Sequence, residues 1–104
     1  MNIQQIMKQA KVMQKKMEDV QAEVAKETVE ATSGGGMVKV IFNGRAELIG
    51  INIDKDVVNA DDVDMLQDLI VAAVNEGIKK AQALMSERMS KLTGGLGLNF
   101  PGMF

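Results

Sequence analysis

At 104 residues, 46% hydrophobic and 25% charged, the chain has the size and balance of one small folded domain rather than a disordered segment. It has no Cys, His, Tyr or Trp, which excludes disulfides, thiol or imidazole metal sites, and Ser-His or Cys-His nucleophile pairs within one chain. The net charge of −2 hides a segregation: residues 1–17 hold four Lys and no acid, residues 18–77 hold thirteen of the fourteen acids, and residues 78–104 hold four bases against Glu87 alone.

The first predicted element is a helix from about Ile3 to about Lys26. Ile3, Ile6, Ala10, Met13, Met17, Val20 and Val24 recur at alternating spacings of three and four. That is a heptad seam, suited to packing on another helix at a shallow angle. Lys8, Lys11 and Lys15 fall on the opposite face, with Lys16 beside them. Met1 to Val12 is polar every few residues and lacks the apolar core of a signal peptide. A cytosolic location is expected.

Glu27 to Ser33 alternates as a short strand, with Val29 and Ala31 against Thr28, Glu30 and Thr32. Gly34-Gly35-Gly36 reads as a bend, and residues 37–43 and 45–54 as two further strands around Asn43-Gly44. Asn-Gly predicts a two-residue type I′ hairpin, in which Phe42 faces Arg45, Val40 faces Glu47 and Val38 faces Ile49. The result is a three-stranded antiparallel meander with Val38, Val40, Ile49, Ile51 and Ile53 on one apolar face.

Residues 55–60 connect to a second long helix, starting near Asn59 to Asp62 and running to about Leu92, with Asn59 or Asp61 as N-cap. Its inner stripe is Val63, Leu66, Ile70, Ala73, Gly77, Ala81, Leu84 and Arg88. Ala73, Gly77 and Ala81 recur every four residues and predict close approach of another backbone, so Gly77→Leu is expected to weaken assembly. Lys80, Arg88 and Lys91 share a face near the helix end, with Lys79 beside them. Gly94 and Gly95 are expected to stop the helix, leaving residues 93–104 as a flexible or docked tail of this one domain. The longest fully apolar run, Leu69 to Val74, is far short of the roughly 20 residues that span a bilayer.

The order is α-β-β-β-α, an α+β fold. A helix of about 32 residues is about 48 Å long, whereas a compact domain of this size has a radius of gyration near 13 Å. The helices therefore overshoot the body, and a second copy of the chain is the simplest partner for their apolar stripes. A homodimer with helices projecting from a shared sheet region is expected.

Function is narrower by exclusion. No Gly-x-x-x-x-Gly-Lys-Ser/Thr phosphate loop is present, and the triple glycine precedes a strand, not a helix. Asp54, Asp56, Asp61, Asp62 and Asp64 fail the EF-hand spacing and read better as helix capping and solvation. An enzyme is not expected, nor a cofactor, a metal or a small-molecule substrate. The basic residues remain. Charge patterning alone fits a solvated helix face as well as a polyanion site. The absence of neighbouring acids at both ends, doubled in a dimer, favours nucleic acid. A protein-interaction or adaptor dimer gripping a partner protein is the alternative, and a small hydrolase using the Asp cluster ranks below both.

Several blocks in order resemble one family. Met7-Lys8-Gln9-Ala10 with Met13-Gln14-Lys15-Lys16-Met17, the stretch Gly34 to Asp54, Asp64 to Asn75, and Leu98-Asn99-Phe100-Pro101-Gly102 are similar to the YbaB/EbfC family of bacterial nucleoid-associated proteins. The resemblance implies a cytoplasmic, nucleoid-located, tweezer-like homodimer without enzymatic activity. It implies binding to double-stranded DNA with little or relaxed sequence preference, and a part in chromosome organisation and gene regulation. DNA contact in the family is attributed to projecting helical parts, which map here onto Lys8, Lys11, Lys15, Lys16, Lys79, Lys80, Arg88 and Lys91.

Overall fold

The computed structural model describes residues 2–95. It holds helix α1 (Ile3–Ala25), strands β1 (Thr28–Ser33), β2 (Val38–Asn43) and β3 (Leu48–Ile53), and helix α2 (Val63–Gly95), with single 3-10 turns at Gly34–Gly36 and Lys55–Val57. The α-β-β-β-α order is the expected one. The three strands form one antiparallel sheet in the order β1-β2-β3.

Local chemistry sets the ends of these elements. Asn2 caps α1, its side chain accepting from the Gln5 N–H at 2.8 Å. The three glycines between β1 and β2 all have positive φ, at 60°, 69° and 94°, a run that side chains would strain. Ser33 Oγ donates to the Leu69 carbonyl at 2.6 Å and so pins the end of β1 to α2. Asp62 is the residue that caps α2, accepting from the Met65 N–H at 3.2 Å, whereas Asn59 closes the preceding turn onto Asp61. α2 runs to Gly95 rather than stopping at Leu92, so Gly94 and Gly95, expected to stop the helix, lie within its last turn. Thr93 is buried, and its hydroxyl donates to the Met89 and Ser90 carbonyls. The remainder of the expected tail, residues 96–104, lies outside the described residues.

The hairpin differs from the sequence expectation. Its loop is Gly44–Ala46, not two residues. The Ala46 N–H donates to the Asn43 carbonyl and the Asn43 N–H to the Glu47 carbonyl, each at 3.0 Å. Asn43 Oδ1 accepts from the N–H groups of Arg45 and Glu47. Asn43 thus shapes the turn with its side chain, and the left-handed residue is Ala46, at φ 62°. This is the pattern of a three-residue hairpin loop. Gly44 is needed for a different reason: a Cβ there would collide with the Val24 carbonyl at the end of α1. In consequence Val38 pairs with Ile53, Val40 with Ile51 and Phe42 with Leu48, with a bulge between Ile41 and Phe42. Moving the partner of Val38 from Ile49 to Ile53 is an even shift, so Ile51 and Ile53 stay on the face of Val38 and Val40.

α2 lies across β1 and β2 and leaves β3 uncovered. Ala31, Val38, Val40, Phe42, Val57, Ala73 and Ala81 form the core, with Leu66, Leu69, Ile70, Val74 and Ile78 packed around them. Gly77 sits beneath Phe42 and Val40, where any Cβ would meet the Phe42 ring. The small-residue ridge of α2 therefore receives side chains of its own sheet, not a second backbone. α1 packs its C-terminal half on the C-terminal half of α2, and residues 2–12 are all exposed. The molecule measures 70 × 23 × 17 Å with a radius of gyration of 19.2 Å. Since α2 alone accounts for about 50 Å, the extra length comes from α1 projecting past the end of α2.

Candidate nucleic-acid interface

The seam of α1 faces α2: Met13, Met17 and Val20 are half-buried and Val24 is fully buried. That orientation turns Lys8, Lys11 and Lys15 outward, and these three, with Lys16, are exposed. Lys8, Lys11 and Lys16 make no ion pair or hydrogen bond among the described residues. Lys15 reaches Asp19 one turn on at 3.4 Å, an exposed contact of the kind worth only about 0.5 kcal/mol. The first two-thirds of α1 thus combine four lysines, no acid and the positive end of a helix dipole, with Lys8 and Lys11 on the part that leaves the body.

The bases of α2 stand differently. Arg88 Nη2 donates to Glu27 Oε1 at 2.7 Å. Lys80 Nζ donates to the Glu30 carbonyl at 3.0 Å, and Lys91 pairs with Glu87 at 3.2 Å. Lys80 and Arg88 therefore fasten α2 to β1, and Lys79 is the α2 base with no partner among the described residues. The sequence could not show this, because the partners lie 50 and 61 positions away. Breaking the Arg88 pair tests how committed it is. Glu27→Gln should cost no more than about 1 kcal/mol of stability in a urea melt, as both side chains are over a third exposed.

A cleft of about 550 Å³ opens between α1, the hairpin tip and α2, lined by Met17, Gln21, Arg45, Gln82, Met85 and Met89 among others. Arg45 is its only charged group, so the cleft offers no acid–base pair for hydrolysis. Two of the five Asp side chains cap backbone: Asp54 accepts from the Asp56 N–H, and Asp62 caps α2. Among the described residues no three His, Cys, Asp or Glu side chains are placed to hold a metal ion.

A meander backed by one long helix, with a second helix projecting and bearing unpaired lysines, defines a class of elongated, base-tipped α+β proteins. The model of the YbaB/EbfC DNA-binding family matches residues 1–96, and the chain belongs to that family. It is 50% identical over 101 residues to a nucleoid-associated protein of Syntrophobacter fumaroxidans, covering 94% of this chain and 92% of that one. It is 52% identical over 104 residues to one of Clostridium novyi, covering 100% and 90%. The crystal structure of an uncharacterized Helicobacter pylori protein superposes with a TM-score of 0.76 at 29% identity, over 93% of this chain and 99% of that one. No helix among the described residues is long and apolar enough to cross a membrane.

Proposed function

We propose that the protein is a homodimer that binds duplex DNA through phosphate contacts made by its basic helical ends. It binds with little sequence preference and helps organise the chromosome in the nucleoid, which sits in the cytoplasm. The observation that carries this reading is the acid-free first two-thirds of α1 with four exposed lysines, two of them, Lys8 and Lys11, on the part that projects. The names of the relatives, nucleoid-associated proteins, support the location. Lys8, Lys11 and Lys16 of α1 and Lys79 of α2 are the first contacts, with Lys15, Lys80, Arg88 and Lys91 joining as their weak internal pairs exchange for phosphate. Such contacts fix register but do not read bases. No reacting group is required, and the protein acts as a binder and not as an enzyme.

The dimer reading rests on β3. Leu48, Ile49, Ile51 and Ile53 are 38–56% exposed on one six-residue edge strand. An edge that is apolar and unprotected is an aggregation hazard unless something pairs with it. A second copy lying against β3 buries these four side chains and leaves both α1 helices free to project. Sedimentation equilibrium should therefore return twice the 11.3 kDa chain mass. Ile51→Lys, which puts a charge on that surface, should give a folded monomer. A wild-type protein that sediments as a monomer would remove the dimer from the account. Two unrelated duplexes of equal length should bind with affinities within about threefold, since only phosphates are contacted; a strong preference for one would contradict it.

A further inference from the structure

The apolar seam of α1 is longer than the surface that covers it. α2 shields Met13, Met17, Val20 and Val24, but Ile3 is 75% exposed, Ile6 51% and the flanking Met7 55%. Ile3, Ile6 and Ala10 keep the same alternation of three and four as the covered half. A period of 3.5 is the signature of a seam that meets another helix. The occupant of the bare half is thus expected to be helical and to carry a matching apolar stripe.

Among the described residues no segment fits. α2 is already committed to the sheet and to the other half of α1. Residues 96–104 have Gly97, Pro101 and Gly102 among nine positions, a composition that disfavours a helix. The helix known to carry a bare seam of this spacing is α1 itself, on another molecule. The contact is then isologous, seam against seam.

Charge decides when it forms. Two such ends bring four lysines, Lys8 and Lys11 from each, and no acid side by side, and they repel in free solution. Their lysines point away from the seam, so DNA can neutralise them while the seams meet. Ile3 to Ala10 spans only about 11 Å of helix axis, too little to approach the roughly 1,000 Å² of a stable interface. The contact is accordingly weak alone and effective only where DNA holds two dimers next to each other at high effective concentration.

We infer that the N-terminal half of α1 is a self-association surface through which neighbouring DNA-bound dimers touch, making binding cooperative along a duplex. Each dimer has two such seams, so the association is open-ended along the DNA. This rests on the proposed DNA-binding function and adds to it.

The test uses the full chain and its Ile3→Gln, Ile6→Gln double variant on a short duplex that seats one dimer and on a long duplex that seats many. Wild-type protein should give a sigmoidal isotherm on the long duplex and bind it about tenfold more tightly per site than the short one, as linked binding events do. The variant should give a hyperbolic isotherm on the long duplex and lose that gain. Its affinity for the short duplex and its salt dependence should be unchanged. As the chain has no Cys, Met7→Cys reports the contact directly. Oxidation should link copies covalently on the long duplex, and not on the short one or without DNA. A hyperbolic wild-type isotherm on the long duplex, or no DNA-dependent crosslink, overturns this inference alone. Failure of the wild type to bind either duplex overturns the DNA-binding proposal as well.

Discussion

Gly77→Ala is expected to lower the melting temperature by about 5–15 °C, and Gly77→Leu to prevent folding. The added Cβ meets the ring of Phe42 and a methyl of Val40, both in the fully packed core. Overpacking of this kind costs about 1–3 kcal/mol. Two ring atoms and a methyl stand in the way, which puts the cost at the upper end of that range; alanine returns up to about 1 kcal/mol through its better helix propensity, so the net loss is about 1–2 kcal/mol. For a domain of this size each kcal/mol is worth about 4–8 °C. The circular dichroism melt of Gly77→Ala, at fixed protein concentration, reads this directly. Were Gly77→Leu to fold with a normal melting temperature but sediment as a monomer, the small-residue ridge would be an interface between copies, and the placement of Phe42 on Gly77 would be wrong.

Replacing Lys8, Lys11 and Lys15 together by Gln should weaken duplex binding by about two to three orders of magnitude at moderate salt, through the loss of up to six phosphate contacts per dimer. The melting temperature should stay close to that of the wild type, because all three side chains are exposed and only Lys15 has a partner, the exposed Asp19. Random and genomic duplexes should lose affinity by the same factor, since no base is read. Unchanged affinity in a filter-binding titration would return these lysines to the role of a solvated face and move the contact to α2.

The two helices were the most legible part of the chain. The 3.5 repeat of α1 and the caps and acids near the start of α2 are local signals, and the observed Ile3–Ala25 departs from the expected span by one residue. The sheet order followed equally from alternation and turn residues. What could not be read was anything set by contacts distant in sequence. Asn-Gly has two uses: here the Asn43 side chain, accepting from the Arg45 and Glu47 N–H groups, closes a three-residue loop, and Gly44 is required by the Val24 carbonyl lying against it. The register moved with it. The ridge Ala73, Gly77, Ala81 signals close approach, but not that Phe42 is what approaches. The split among the bases was hidden too: eight candidates look alike in sequence, yet Arg88 and Lys80 are drawn to β1 while Lys8, Lys11 and Lys16 are left unpaired. The exposed edge of β3 was likewise unreadable, because Ile51 and Ile53 share a face with buried residues and only the placement of α2 leaves them bare.

The salt dependence of wild-type binding tests the central claim most directly. Four of the eight candidate bases in each protomer, Lys8, Lys11, Lys16 and Lys79, have no partner within the described residues, which makes about eight phosphates per dimer and a log–log slope of affinity against salt near −7. Equilibrium titration of a random-sequence duplex from low to moderate salt should give that steep slope, with tight binding at the low end and near loss at the high end. A slope near zero, or no retention of the duplex at low salt, would contradict binding by phosphate neutralisation and with it the DNA-binding account of this chain.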